Sequence, residues 1–165
     1  ASYATFFYAQ FDEKTQILTY VNAGHNPPIL VQAGPSPRAQ RVGSASPSGL
    51  AAISAEDRRI ETFEFQVRLL ATGGPIIGAF SNCEYEQEAI QMEPGDMLVA
   101  YTDGVTEAFN SREEQFGEAR LREIVARSTH LSAVELSSEI VVRVRGWCGD
   151  TAQQDDLTLV VMKVK

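Results

Sequence analysis

Apolar and polar side chains alternate along several stretches of the chain, the pattern of strands with one face buried. Ala4 to Asp12 is dense in aromatic and β-favouring residues, and Ile17 to Val21 repeats that texture after the polar turn Glu13-Lys14-Thr15-Gln16. The two runs predict a β-hairpin. Asn22-Ala23-Gly24-His25-Asn26-Pro27-Pro28 follows as a sharp loop, since glycine reaches positive φ and proline cannot pair in a ladder. Ile29 to Val31 resumes a strand. Phe63, Phe65, Val67 and Leu69 alternate with Thr62, Glu64, Gln66 and Arg68, which predicts another half-buried strand. Gly73-Gly74-Pro75-Ile76-Ile77-Gly78 reads as a constrained loop. Tyr85 to Met92 alternates weakly, Glu93-Pro94-Gly95-Asp96 makes a turn, and Met97 to Thr102 reads as a buried strand.

The period then lengthens. Leu121, Ile124 and Val125 share one face of a helix expected from about Phe116 to Ser128. A second helix starts at Ser132, whose hydroxyl caps it while Glu135 reaches back, the S-x-x-E capping box. Val134, Ile140, Val141, Val144 and Trp147 recur at helical spacing as its apolar stripe, Gly149-Asp150 ends it, and Leu157 to Val164 is a closing strand. Strands first and a helix pair late predict an α+β sandwich in one domain. From about 33 to 59 Gly, Pro, Ser and Ala dominate with neither period, which reads as a loop insertion.

Composition narrows the field. The chain has 165 residues, 44% of them hydrophobic, enough for one real core and too apolar for a disordered segment. Its net charge of -8, with scattered basic residues, argues against nucleic acid and anionic lipid as partners. No apolar run is long enough to span a bilayer, and the first residues lack the features of a signal peptide, so a cytoplasmic location is expected. Cys83 and Cys148 lie far apart and read as two reduced, half-buried thiols. The start at Ala1, without Met and directly before a strand, suggests a piece of something longer.

Three places carry candidate chemistry. Asp103 stands at the end of the buried strand Leu98-Val99-Ala100-Tyr101-Thr102, followed by Gly104, which would let the backbone turn. Strand ends hold carboxylates rigidly and hard divalent cations take oxygen ligands, yet an Asp-Gly after a strand is also an ordinary turn. Asp155 and Asp156 precede the last strand, and adjacent carboxylates repel unless a cation or donor lies between them; the plain alternative is a solvated acidic turn. His25 is a candidate ligand, general acid or phosphate donor, or else a residue that fixes its loop by hydrogen bonding. The chain has neither a G-x-S-x-G elbow nor a Walker-type phosphate loop, and too few clustered Cys and His for structural zinc.

Taken in order, these segments resemble one family. Tyr8-Ala9-Gln10-Phe11-Asp12 and Leu18-Thr19-Tyr20-Val21-Asn22-Ala23-Gly24-His25-Asn26-Pro27-Pro28 look like the middle of a bacterial PPM-type (protein phosphatase 2C-like) domain of the stage II sporulation protein E and sigma-B regulator phosphatase subfamily. Gly73-Gly74-Pro75-Ile76-Ile77-Gly78 resembles its Gly-Gly-Pro-x-x-Gly loop. Glu93-Pro94-Gly95-Asp96 through Tyr101-Thr102-Asp103-Gly104-Val105-Thr106-Glu107-Ala108 resembles its late metal motif, and Gln154-Asp155-Asp156-Leu157-Thr158 its final one. The resemblance implies an α-β-β-α sandwich holding two Mg²⁺ or Mn²⁺ ions, which activate a water to attack a phosphoserine or phosphothreonine. It implies Asp103 and Asp155 as ligands of one metal, with Gly104, His25, Asn26 and Asp156 around the metals or on the substrate loop. Glu107 is implied as a helix-end or outlying residue. The implied substrate is a phosphorylated regulatory protein such as an anti-sigma-factor antagonist.

Two departures qualify the match. The family's early motifs, Gly-Gly-Asp and Asp-Val-Ser-Gly-Lys-Gly, are absent, so the chain resembles the C-terminal portion of the domain and lacks the carboxylate that bridges both metals. Such a fragment is expected to bind metal weakly, to turn over poorly, and to expose apolar surface or cover it by self-association. The 33–59 insertion is also longer than the family's short turn; it reads as a tolerated loop rather than a lid. The alternative function is a non-catalytic domain that keeps the fold and binds a phosphorylated partner.

Overall fold

The aromatic alternation of the first run builds the expected hairpin. In the computed structural model, which describes residues 2–34, 64–151 and 155–165, β1 (Phe6–Asp12) pairs antiparallel with β2 (Ile17–Ala23). Its turn is held by Asp12, whose Oδ1 accepts from the N–H groups of Thr15 at 3.0 Å and Lys14 at 2.8 Å. Those two bonds hold the Asp12 carboxyl below its ordinary pKa.

Four further strands follow the hairpin before the second long apolar run. β3 is Ile29–Gly34 and β4 is Glu64–Leu69. The Gly-Gly-Pro loop opens on a two-residue strand, β5 (Gly73–Gly74), parallel to the end of β2. β6 (Glu88–Gln91) pairs antiparallel with the first half of β2 along the same edge, so its strand is shorter than the alternation from Tyr85 predicts. The predicted 33–59 insertion lies, after Gly34, outside the described residues, as do Thr62 and Phe63.

The second sheet has the order β4-β3-β7-β8, with β7 at Met97–Tyr101 and β8 at Leu159–Lys163, antiparallel throughout. Its two central strands are buried on both faces, which is why they read as apolar runs rather than as alternation. Leu30 and Leu98 pack against Leu18, Tyr20 and Ile90 between the sheets. Ile29, Val31, Met97 and Val99 turn the other way, onto the helices. In β4 only Val67 and Leu69 reach that helical core; Phe65 is exposed.

The helices are α1 (Asp103–Thr106), α2 (Glu118–Arg127) and α3 (Ala133–Cys148). Leu121 and Val125 of α2 are buried as expected. The stripe of α3 needs correcting: Val134 is 77% exposed, and Leu136 is buried in line with Ile140 and Val144. At 100° per residue Val134 sits on nearly the opposite side of the helix from Leu136. The layers are therefore sheet, sheet and helices, the α+β layering of an α-β-β-α sandwich with one helical layer among the described residues. On the outer face of the first sheet Phe6 and Tyr8 stand about half exposed.

Strand register decides what meets what. Ile29 pairs with both Leu69 and Val99, and Tyr101 pairs with Leu159. The loops at 24–28, 70–72, 102–108 and 155–158 thus leave the second sheet at one end.

Candidate functional site

At that end the two acidic segments are neighbours because β7 and β8 are. Thr102 ties them: its N–H donates to the Thr158 carbonyl at 3.1 Å, its hydroxyl donates to the Asp156 carbonyl at 3.2 Å, and the Thr158 N–H donates back to that hydroxyl at 3.1 Å. Gly104 fits against the same carbonyl. A Cβ on Gly104 would lie 2.3 Å from the Asp156 oxygen, so only glycine permits this approach. The sequence reading of Asp103-Gly104 as a sharp turn is corrected here: Asp103 opens the one-turn helix α1, and Gly104 is required by contact rather than by a positive φ.

Asp103 and Asp155 are both exposed, and each has one oxygen fixed locally. Asp103 Oδ1 accepts from the Gly104 N–H at 3.0 Å, and Asp155 Oδ1 accepts from the Asp156 N–H at 2.8 Å. Asp156, also exposed, is held through its backbone by Thr102. Behind them Tyr101 is buried, and that burial pushes its phenol up to about 12, so it stays neutral at any ordinary pH. Among the described residues no three His, Cys, Asp or Glu side chains come together to hold a metal ion.

His25 and Asn26 sit half-buried in the β2–β3 loop at the same end of the sandwich. The His25 ring donates from Nδ1 to the Asn26 carbonyl at 2.9 Å, which leaves Nε2 as the ring's outward-acting atom. The loop is fixed chiefly by a residue the sequence reading passed over. Asn22, 3% exposed, accepts from the His25 N–H at 2.8 Å and donates to the carbonyls of His25 and Leu70 at 3.0 and 3.1 Å. Gly24 supplies the positive φ of 70° that the loop needs. An asparagine directly before Ala-Gly was the available signal, since Asn favours local turn bonding.

Beside the acidic segments a cleft of about 970 Å³ opens between α1 and the C-terminal half of α3. Gly104, Asp155 and Asp156 lie along one part of it, Ala108, Phe109, Val141 and Leu157 give it apolar wall, and Glu107, Arg145, Cys148 and Thr151 also line it. Glu107, expected at a helix end, caps α1 at its C-terminus. Cys148 is a half-buried free thiol, as is Cys83. No helix among the described residues is long and apolar enough to cross a membrane.

Comparison with known proteins bears on the family and the fold. The family model for stage II sporulation protein E matches residues 1–68 and 60–165. Protein IcfG of Synechocystis sp. is 27% identical over 162 residues, a match covering 98% of this chain and 21% of that protein. The SiaA-PP2C domain of Pseudomonas aeruginosa superposes with a TM-score of 0.64 at 15% identity, over 100% of this chain and 53% of that one. The phosphatase domain of the cell fate determinant SpoIIE from Bacillus subtilis, manganese-presoaked, superposes with a TM-score of 0.56 at 14% identity, over 98% of this chain and 57% of that one. The chain spans about a fifth of the curated relative and about half of each solved one.

Proposed function

The chain belongs to the stage II sporulation protein E family, whose fold is that of protein phosphatases, and on that premise we propose that it is the C-terminal portion of a metal-dependent protein serine/threonine phosphatase domain. In this reading Asp103 and Asp155 hold one divalent cation, Mg²⁺ or Mn²⁺, of the two in the complete domain. The observation that supports it is the pairing of β7 with β8, which brings the two Asp-bearing loops side by side and locks them through Thr102. The donor class suits the ion: carboxylates are hard oxygen ligands, and each of these has one oxygen held by a neighbouring backbone N–H. The manganese-presoaked relative from B. subtilis favours the same class of metal.

A divalent cation held there supplies Lewis acidity, lowering the pKa of a water and drawing charge from phosphoryl oxygens. The chain's own groups orient and exclude. Thr102 and Gly104 fix the spacing of the two loops, and Tyr101, buried in the core beneath the helices, anchors the strand that leads into Asp103. The Asn22-braced loop presents His25 and Asn26 toward the phosphorylated segment as substrate-loop residues, with Asp156 supporting Asp155. The substrate is a phosphorylated regulatory protein, of the kind an anti-sigma-factor antagonist represents.

The test is phosphate release from a phosphoserine peptide by the full-length protein. Release should require Mn²⁺ or Mg²⁺, stop on chelation, and fall on the order of 100-fold or more in Asp103→Asn. Peptide binding without hydrolysis in the unaltered protein would transfer the assignment to the non-catalytic binding domain.

A further inference from the structure

Among the described residues the cleft beside the acidic loops is lined by one basic side chain, Arg145, which is placed unlike the other arginines of the helical layer. Arg120 stacks over the Trp147 ring at 4.0 Å and donates to the Phe116 carbonyl at 2.8 Å. Arg122, Arg127 and Arg143 each pair with a glutamate one turn earlier on their own helix. Arg145 has no ion pair among the described residues, although it is exposed and lies among Glu107, Asp155 and Asp156 on the cleft wall. It stands one residue after Val144, which is buried in the core, and four after Val141, which lines the same cleft. On a helix a spacing of four puts Val141 and Arg145 on one face, so an apolar contact and a positive charge are presented together.

We propose that this cleft is the docking groove for the polypeptide beside the phosphorylated residue: Phe109, Val141 and Leu157 receive an apolar side chain of the substrate, and Arg145 pairs with one of its carboxylates. The proposal rests on the phosphatase reading and names the sequence class of its substrate. Three features argue for this occupant. The groove is continuous with Asp155 and Asp156, so a chain whose phosphate lies at the acidic loops runs into it. Its volume of about 970 Å³ takes several side chains, not only a phosphate. On a chain of net charge -8, a cleft cation that is in no ion pair among the described residues offers an acidic segment a favourable contact beside the acidic loops, so Arg145 fixes the register of such a segment.

The experiment compares two phosphoserine peptides in the full-length protein with Mn²⁺, identical except that the residues flanking an apolar anchor are Glu in one and Gln in the other. The unaltered protein should favour the Glu peptide in kcat/KM by about tenfold, the effect of roughly one charge-assisted hydrogen bond, with the difference mainly in KM. Arg145→Ala and Arg145→Gln should bring that ratio to about one, Arg145→Lys should keep most of it, and Arg145→Glu should turn the preference toward a Lys peptide. The ratio is taken within each variant, so a general loss of activity or folding does not imitate it. An unaltered ratio in Arg145→Ala, or no preference in the unaltered protein, overturns the proposal. If no peptide is hydrolysed, the phosphatase reading fails by itself. The affinities of the same peptides, measured by fluorescence anisotropy, then decide the docking groove on the same ratios.

Discussion

A single hydrogen atom in place of a methyl group decides whether the two acidic loops can meet. Gly104 sits where a Cβ would lie 2.3 Å from the Asp156 carbonyl oxygen, and both partners are backbone, so neither can rotate out of the way. Gly104→Ala should therefore push the 102–104 and 155–158 loops apart. We expect a loss of about 1–3 kcal/mol in urea unfolding, the usual cost of forcing atoms into a filled space, with Mn²⁺ affinity falling further than stability does. Equal Mn²⁺ affinity in Gly104→Ala and the unaltered protein would show that the contact does not position the carboxylates. In the sequence this glycine looked like the second residue of a turn. Its real reason is a carbonyl far along the chain, and no local pattern carries that information. Asn22 was hidden for a related cause: its two bonds with His25 are local, but its bond to the Leu70 carbonyl and its burial depend on a segment far along the chain.

Among the elements, α3 is the one whose beginning was most legible. Ser132 and Glu135 form both halves of the capping box, the Glu135 N–H donating to Ser132 Oγ at 3.3 Å and the Ser132 N–H to Glu135 Oε2 at 2.8 Å. The Ser132 N–H on its carboxylate, with the Ser132 side chain beside it, holds the Glu135 carboxyl below its ordinary pKa. Ser132→Ala should cost about 1 kcal/mol in thermal or urea unfolding, and Ser132→Asp should restore most of it. The hairpin, the central strands and both long helices were readable because period and turn chemistry agree there with tertiary packing. The stripe of α3 was read one face too wide, since Val134 has the right residue type two positions into the helix but the wrong angle. α1 was not readable, because four residues carry too little periodicity to be told from a turn. The candidate carboxylates were legible as motifs, while their proximity depends on the antiparallel pairing of β7 with β8.

At the scale of the whole molecule, the two sheets are joined by more than apolar packing. Glu88 on β6 of the first sheet accepts from the Tyr20 hydroxyl at 2.7 Å and Thr72 Oγ1 at 2.8 Å, and pairs with Arg68 on β4 of the second. Tyr20, Arg68 and Thr72 together hold its carboxyl down to about 2. A carboxylate whose pKa is lower folded than unfolded contributes stability above its ordinary value near 4.5, and loses it as pH falls from there toward 2. Glu88→Gln should thus be less stable than the unaltered protein at pH 7 by about 1–2 kcal/mol, solvent around the half-exposed Arg68 keeping the figure modest. The two proteins should converge in stability between pH 4.5 and 2; parallel curves across that range would show that the clip carries no net charge coupling. The helical layer has its own fastening, and it has an optical use. Trp147 is the chain's sole tryptophan, with its ring edge-on to Phe116, Arg120 over its face, and its indole N–H donating to the Glu114 carbonyl at 3.0 Å. Its emission consequently comes from one place, where α2, α3 and the 109–115 loop touch. A tryptophan-selective fluorescence trace is a recording of that junction, one residue before the Cys148 that lines the cleft, and of no other part of this chain.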